Sequence, residues 1–257
     1  MIQSLYPLSD PSSLILDRPM DILSRLYRLP TGRFHYTLLG LIGVGWLFDA
    51  MDTGLVSFVL PTLSQQWQLT PAQSGWIVSV AFVGMALGAV ASGWAADRFG
   101  RRNVFVGTMV LYSIATGLCA LSPSLSVLLF CRFWVGFGLG GQLPVAVSLV
   151  SEFAPPAVRG RLIVLLESFW GLGWLAAALA SWGFIPHFGW HSAFWIGALP
   201  IFYALWVWKK LPESVPYLLA RGRVDEAHAL VSRLEAQAGL PVVAEAVVAA
   251  TAPHEPI

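Results

Sequence analysis

The sequence predicts an all-α membrane protein, a six-transmembrane-helix bundle, on three observations. Six apolar runs follow one another between residues 36 and 208, most near the ~20 residues that cross a hydrocarbon core. Charged residues make up 11% of the 257-residue chain and hydrophobic ones 56%, whereas a soluble domain carries about 25% charge. Fourteen of the fifteen Lys and Arg residues lie in every second connector or in the terminal segments, the asymmetry that orients membrane helices.

The elements follow in order. Residues 1–35 carry Asp10, Asp17, Arg18, Asp21, Arg25, Arg28 and Arg33 and open on no long apolar stretch, so no cleavable signal peptide is expected. Leu14, Ile15, Leu16, Ile22, Leu23, Leu26 and Leu29 leave two readings for residues 13–29: an amphipathic helix on the membrane surface, or a solvated, partly ordered tail. Spans are expected at 36–60, 75–96, 104–121, 126–151, 162–184 and 192–208. Their connectors are short, so consecutive spans are antiparallel neighbours. The connectors 61–74, 122–125 and 185–191 hold no Lys or Arg; both termini are therefore expected in the cytoplasm and the bundle in the plasma membrane. After residue 208, Pro212-Glu213-Ser214 interrupts the helix, 224–238 reads as a polar amphipathic helix and 240–257 as a linker. The division is a cytoplasmic N-terminal segment (1–35), the bundle (36–208) and a cytoplasmic helical linker segment (209–257).

Four ionisable residues fall within or at the edges of spans: Asp49, Asp52, Arg132 and Glu167. A charge at bilayer depth costs about 2.5–3.5 kcal/mol on insertion scales, so it needs a partner, a cavity or a substrate path. Asp49 and Asp52 are three residues apart and share a helix face. Asp52 lies eight residues from the end of its span and Arg132 six from the same end of the fourth. At ~1.5 Å per residue these depths agree within about one turn, so the two can pair. Such a pair either locks helices structurally or serves a proton-coupled substrate path. Glu167 can snorkel, pair with Arg159 or Arg161, or line the cavity. Among the deep aromatics, Phe48, Trp134 and Trp170 are candidates to stack on a planar ligand, beside the plainer reading that they pack.

Other signals are set aside on physical grounds. Gly136-Phe137-Gly138-Leu139-Gly140-Gly141 lacks the preceding strand of a dinucleotide loop. Gly84/Gly88 and Gly136/Gly140 instead have small-xxx-small spacing for close helix packing. His187 and His191 sit in a connector without acidic neighbours, and Cys119 and Cys131 lie in apolar runs. No metal, cofactor or disulfide is expected. The absence of a nucleophile elbow, Walker motif or metalloprotease signature argues against an enzyme, and the net charge of +1 against a nucleic-acid partner.

Gly93-Trp94-Ala95-Ala96-Asp97-Arg98-Phe99-Gly100-Arg101-Arg102 resembles the G-x-x-x-D-R-x-G-R-R signature of the major facilitator superfamily. Arg132-Phe133-Trp134-Val135-Gly136 resembles its fourth-helix motif. Glu152, Pro155, Arg159 and Gly160 are similar to the sugar-porter-like branches, as is Pro212-Glu213-Ser214-Val215-Pro216-Tyr217-Leu218-Leu219, with one extra residue and no arginine. Asp49-Ala50-Met51-Asp52 resembles the D-G-x-D of aromatic-acid/proton symporters, with Ala50 in place of glycine, and its wider phrase resembles nicotinate-type metabolite transporters.

The resemblance implies one half of a twelve-helix major facilitator fold, made of two inverted three-helix repeats. It implies a substrate and proton pathway at Asp49, Asp52, Arg132, Trp134 and Glu167. It also implies a cytoplasmic gating motif at Gly93, Asp97, Arg98, Gly100, Arg101 and Arg102, and a conformational charge network that includes Glu152 and Arg159. The expected function is the N-terminal half of a proton-coupled secondary carrier for a small organic acid, nicotinate or another aromatic carboxylate. A sugar or polyol carrier half is the alternative, and a six-span protein without transport the reading from another class. The expected partners are the substrate, the proton, the bilayer and a second six-helix half, supplied by a separate chain or a second copy; a truncated or split product would account for the length.

Overall fold

A computed structural model describes residues 19–240. Within them the chain forms ten α-helices: α1 (Pro19–Arg28), α2 (Arg33–Trp67), α3 (Pro71–Phe99), α4 (Arg101–Ala120), α5 (Leu125–Phe153), α6 (Arg159–Phe188), α7 (Trp190–Ala198), α8 (Pro200–Lys210), α9 (Val215–Ala220) and α10 (Val224–Gln237). Six segments are long and apolar enough to cross a membrane: α2 to α6, and α7 with α8 together. The apolar stretch 242–251 and residues 13–18 of the 13–29 segment lie outside the described residues.

The packing has a symmetry. α2 lies along α6, α3 along α5, and α4 against α7 and α8, while α4 also meets α5 and α2 meets α7. Exchanging the first three spans for the last three maps these pairs onto one another, as two three-helix repeats require.

Glycine sets the closest of these contacts. A Cβ at Gly84 would overlap the carbonyl of Phe133, one at Gly88 that of Phe137, one at Gly136 that of Ala81 and one at Gly140 that of Met85. α3 and α5 therefore touch backbone to backbone over two turns, the approach that small residues permit in membranes.

Three expectations are corrected. α2 runs through Pro61 to Trp67, where a connector was expected from residue 61. A membrane helix tolerates proline where neighbouring helices, side chains or local backbone adjustment satisfy the freed groups; here Gln68, at φ 50°, closes the helix instead. The sixth span is broken at Leu199, with Pro200 starting α8 at a position where its missing N–H costs nothing. Finally, the described part of the 13–29 segment is no solvated tail: α1 packs its apolar face on protein. Its Ile22 and Leu26, with Leu29 just beyond its end, are buried against protein, and Arg25 forks onto Glu235 of α10 at 3.0 and 2.6 Å. Arg25 also donates to Ser232 at 3.0 Å. The two ends of the described chain are thus stitched together at the arginine-rich end of the bundle.

Candidate functional site

α2 carries the acidic pair to the middle of the bundle. Asp52 is buried, accepting from the Thr116 hydroxyl of α4 at 2.7 Å and from Arg132 Nη1 of α5 at 3.3 Å. Gly197 of α7 makes room for it, since a Cβ there would stand 2.9 Å from Asp52 Oδ1. Asp49, one turn earlier, is equally buried, but neither of its carboxyl oxygens has a hydrogen-bond partner. Tyr112 of α4 lies close enough to interact with it, although its hydroxyl makes no hydrogen bond of good geometry.

A cavity of about 430 Å³ opens beside this pair, lined among others by Trp46, Asp49 and Thr53 of α2, Glu167 and Trp170 of α6, and Met85, Ala89, Leu139 and Leu143. Trp46 and Trp170 pack on one another in its wall, ring centroids 4.7 Å apart at 39°. The described lining holds two acidic side chains and no basic one. Glu167 pairs with neither Arg159 nor Arg161 and has no hydrogen bond or ion pair with any described residue.

The expected pathway residues therefore separate. Asp49 and Glu167 line the cavity, whereas Asp52 and Arg132 form a closed pair beside it. Trp134 faces away, on the surface of α5 among Phe130, Phe133 and Phe137. Phe48 packs on Tyr203, whose hydroxyl donates to the Leu41 carbonyl at 2.9 Å. Sequence reasoning missed Trp46, Tyr112 and Thr116. Only Trp46 left a signal: it precedes Asp49 by three residues and so shares its face.

The departure at Ala50 has a packing cause. Ala50 is fully buried against α6, where a Cβ at Gly173 would lie 2.5 Å from its methyl group. The methyl occupies space that Gly173 leaves, away from the cavity lining.

At the arginine-rich end the signature loop is held by this chain itself. Arg101 bridges Asp97 at 3.0 Å and Glu152 at 3.2 Å, and the Ser214 hydroxyl donates to Glu152. Tyr217 donates to the Arg98 carbonyl at 3.3 Å, Arg221 to the carbonyls of Asp97 and Arg98. The Arg98 side chain lies over the Trp94 ring. Gly100 has φ 96°, and a Cβ there would meet Glu213. Gly93 faces open space. Arg159 does not join Glu152; it lies over the Tyr27 ring of α1, 5.6 Å from its centroid, and reaches the Ala154 carbonyl.

Comparison with known proteins agrees with this architecture. Residues 42–253 match the family described as sugar (and other) transporter. The chain is 63% identical to the niacin transporter NiaP of Acinetobacter baylyi over 87% of its own length and 51% of that protein's. It is 34% identical to the 4-hydroxybenzoate transporter PcaK of Pseudomonas putida, over 89% of this chain and 51% of that one. The xylose transporter XylE from E. coli, in a partially occluded inward-open conformation, superposes with a TM-score of 0.69 at 19% identity, covering 79% of this chain and 54% of that one. The chain thus spans about half the length of the curated relatives it matches. Six membrane-crossing segments, a signature loop bonded as described and a family match over most of the chain lead to one statement: this chain belongs to the sugar (and other) transporter family of the major facilitator superfamily.

Proposed function

We propose that this chain is the N-terminal half of a secondary carrier for nicotinate or another aromatic carboxylate, coupled to protons, with both termini cytoplasmic. One observation carries the reading: the intramembrane pair of Asp52 and Arg132, at 3.3 Å, beside a cavity faced with two tryptophans. Identity of 63% to a niacin transporter supports the substrate class. In this reading a proton arriving at Asp52 loosens its hold on Arg132, and the freed guanidinium attracts the substrate carboxylate. Trp46 and Trp170 hold the ring. The second six-helix half closes the cavity, and alternating access rocks one half against the other around this site. Asp97, Arg98, Arg101 and Arg102 form the gate at the cytoplasmic face, and Glu152 ties it to the segment after the sixth span.

The test is uptake by the complete twelve-helix carrier containing this chain. Asp52→Asn is expected to abolish nicotinate uptake driven by a pH gradient while leaving exchange of substrate across the membrane measurable. Normal accumulation by that variant would remove the proton role. The sugar reading draws on the motif around Glu213 and on Glu152 and Arg159. It fits the cavity less well, since a sugar needs many hydrogen-bond partners and the described lining is largely apolar. Competition of uptake by hexoses, with none by aromatic acids, would establish it.

A further inference from the structure

The cavity has a chemical polarity along its axis. Trp46 and Trp170 touch in its wall. Counting along α6, Glu167 lies one turn from Trp170 toward the arginine-rich end. Counting along α2, Asp49 lies one turn from Trp46 the other way, and Asp52 with its partner Arg132 one turn further. At about 4.5 Å for each such turn, a planar ring held by the tryptophans has an unpaired carboxyl at one edge and a guanidinium within side-chain reach beyond the other. The acid at the arginine-rich edge, Glu167, is exposed and opens into the cavity. It lines the cavity with no bonding partner among the described residues, although two arginines lie within two turns of it on its own helix.

We propose that Glu167 selects for a ring nitrogen. It forms a hydrogen bond with the nitrogen of a six-membered heteroaromatic ring seated against the touching rings of Trp46 and Trp170, while the substituent carboxylate points toward Arg132. One proton lies on the line between the Glu167 carboxyl and the nitrogen, donated by the acid form to the lone pair or held by the ring and accepted by the carboxylate. The ligand class is a pyridine carboxylate, and a benzoate of the same shape offers Glu167 only a C–H. An unpaired acid facing a C–H loses the hydrogen bond it makes to a nitrogen, the asymmetry that lets one polar contact discriminate strongly between isosteres. The inference rests on the carrier reading given above.

The experiment is uptake of labelled nicotinate and labelled benzoate by the complete carrier, each competed by the other, in wild type, Glu167→Leu and Glu167→Gln. Wild type is expected to prefer nicotinate. Glu167→Leu should weaken nicotinate about tenfold with benzoate changed less than twofold. Glu167→Gln, which keeps a hydrogen-bond donor, should retain part of the preference; it carries the test if the leucine variant fails to accumulate in the membrane. Equal weakening of both substrates, or an unchanged preference in Glu167→Leu, would overturn the proposal. So would wild type that carries both compounds without preference, which leaves the carrier reading standing. Wild type that carries neither defeats that reading and this one with it.

Discussion

The Glu213 carboxylate accepts a hydrogen bond from the backbone N–H of Arg102, 3.1 Å away and 111 residues earlier in the chain. Arg102 is the second residue of α4, so this N–H has no partner inside the helix, and a carboxylate there also meets the positive end of the helix dipole. The same carboxylate accepts from Ser214 N–H at 3.0 Å. The acidic residue after the sixth span thus serves as the missing cap for the third, and Gly100 leaves the space it enters.

Glu213→Ala removes that cap. It is expected to cost about 1–2 kcal/mol, read as a fall in the thermal midpoint of the purified chain in detergent. Glu213→Gln, which keeps an acceptor without the charge, should lose less. Equal losses for both variants would show that charge, and not the hydrogen bond, dominates.

The glycine seam between α3 and α5 should tolerate no side chain. Gly88→Ala sets a methyl group against the Phe137 backbone, and overpacking of this kind costs about 1–3 kcal/mol or more. Gly171→Ala in α6 meets nothing within 4 Å and should be neutral or gain about 0.5–1 kcal/mol from the lower chain entropy of alanine. Folded yield and thermal midpoint of the two variants, compared side by side, check the contrast.

The pair of Arg25 and Glu235 is nearly inaccessible, with side-chain exposures of 4% and 6%. Breaking such a pair from one side leaves a buried charge and costs about 3–5 kcal/mol. Glu235→Leu should therefore release α1 and open it to limited proteolysis. The double variant Arg25→Met with Glu235→Leu should restore most of the protection. A double variant as labile as the single one would show that the charges themselves hold α1.

Ala50→Gly, which restores the glycine of the aromatic-acid motif, should cost about 0.5–1 kcal/mol in stability and leave the preference among aromatic acids unchanged. Competitive uptake by the complete carrier measures the second quantity. A shifted preference would return residue 50 to the substrate path.

The spans were legible because membrane crossing imposes length and apolarity directly on the sequence. Residue counting set Asp52 and Arg132 at one depth, and they meet, because the rise of a helix is fixed. The expected first span is too short, since residues 61–67 continue the helix through Pro61. The fate of α1 was hidden. The periodicity of Ile22, Leu26 and Leu29 reports an apolar face but not what covers it, and the cover lies some two hundred residues downstream. Trp46 escaped the choice of stacking residues because nothing in a one-dimensional pattern says which of several deep aromatics on α2 and α6 touch one another.

The stitching of α1 to α10 has a mechanical meaning. Without it, a displacement of the segment after the sixth span would reach α2 chiefly through α8, whose Tyr203 bonds the Leu41 carbonyl. With Arg25 clamped to Glu235, and only four residues between α1 and α2, a pull on α10 is delivered at once to the foot of the helix that bears Asp49 and Asp52. The chain is in effect a closed loop of levers. Its shortest arm joins the segment after the last span to the helix where the charges are kept.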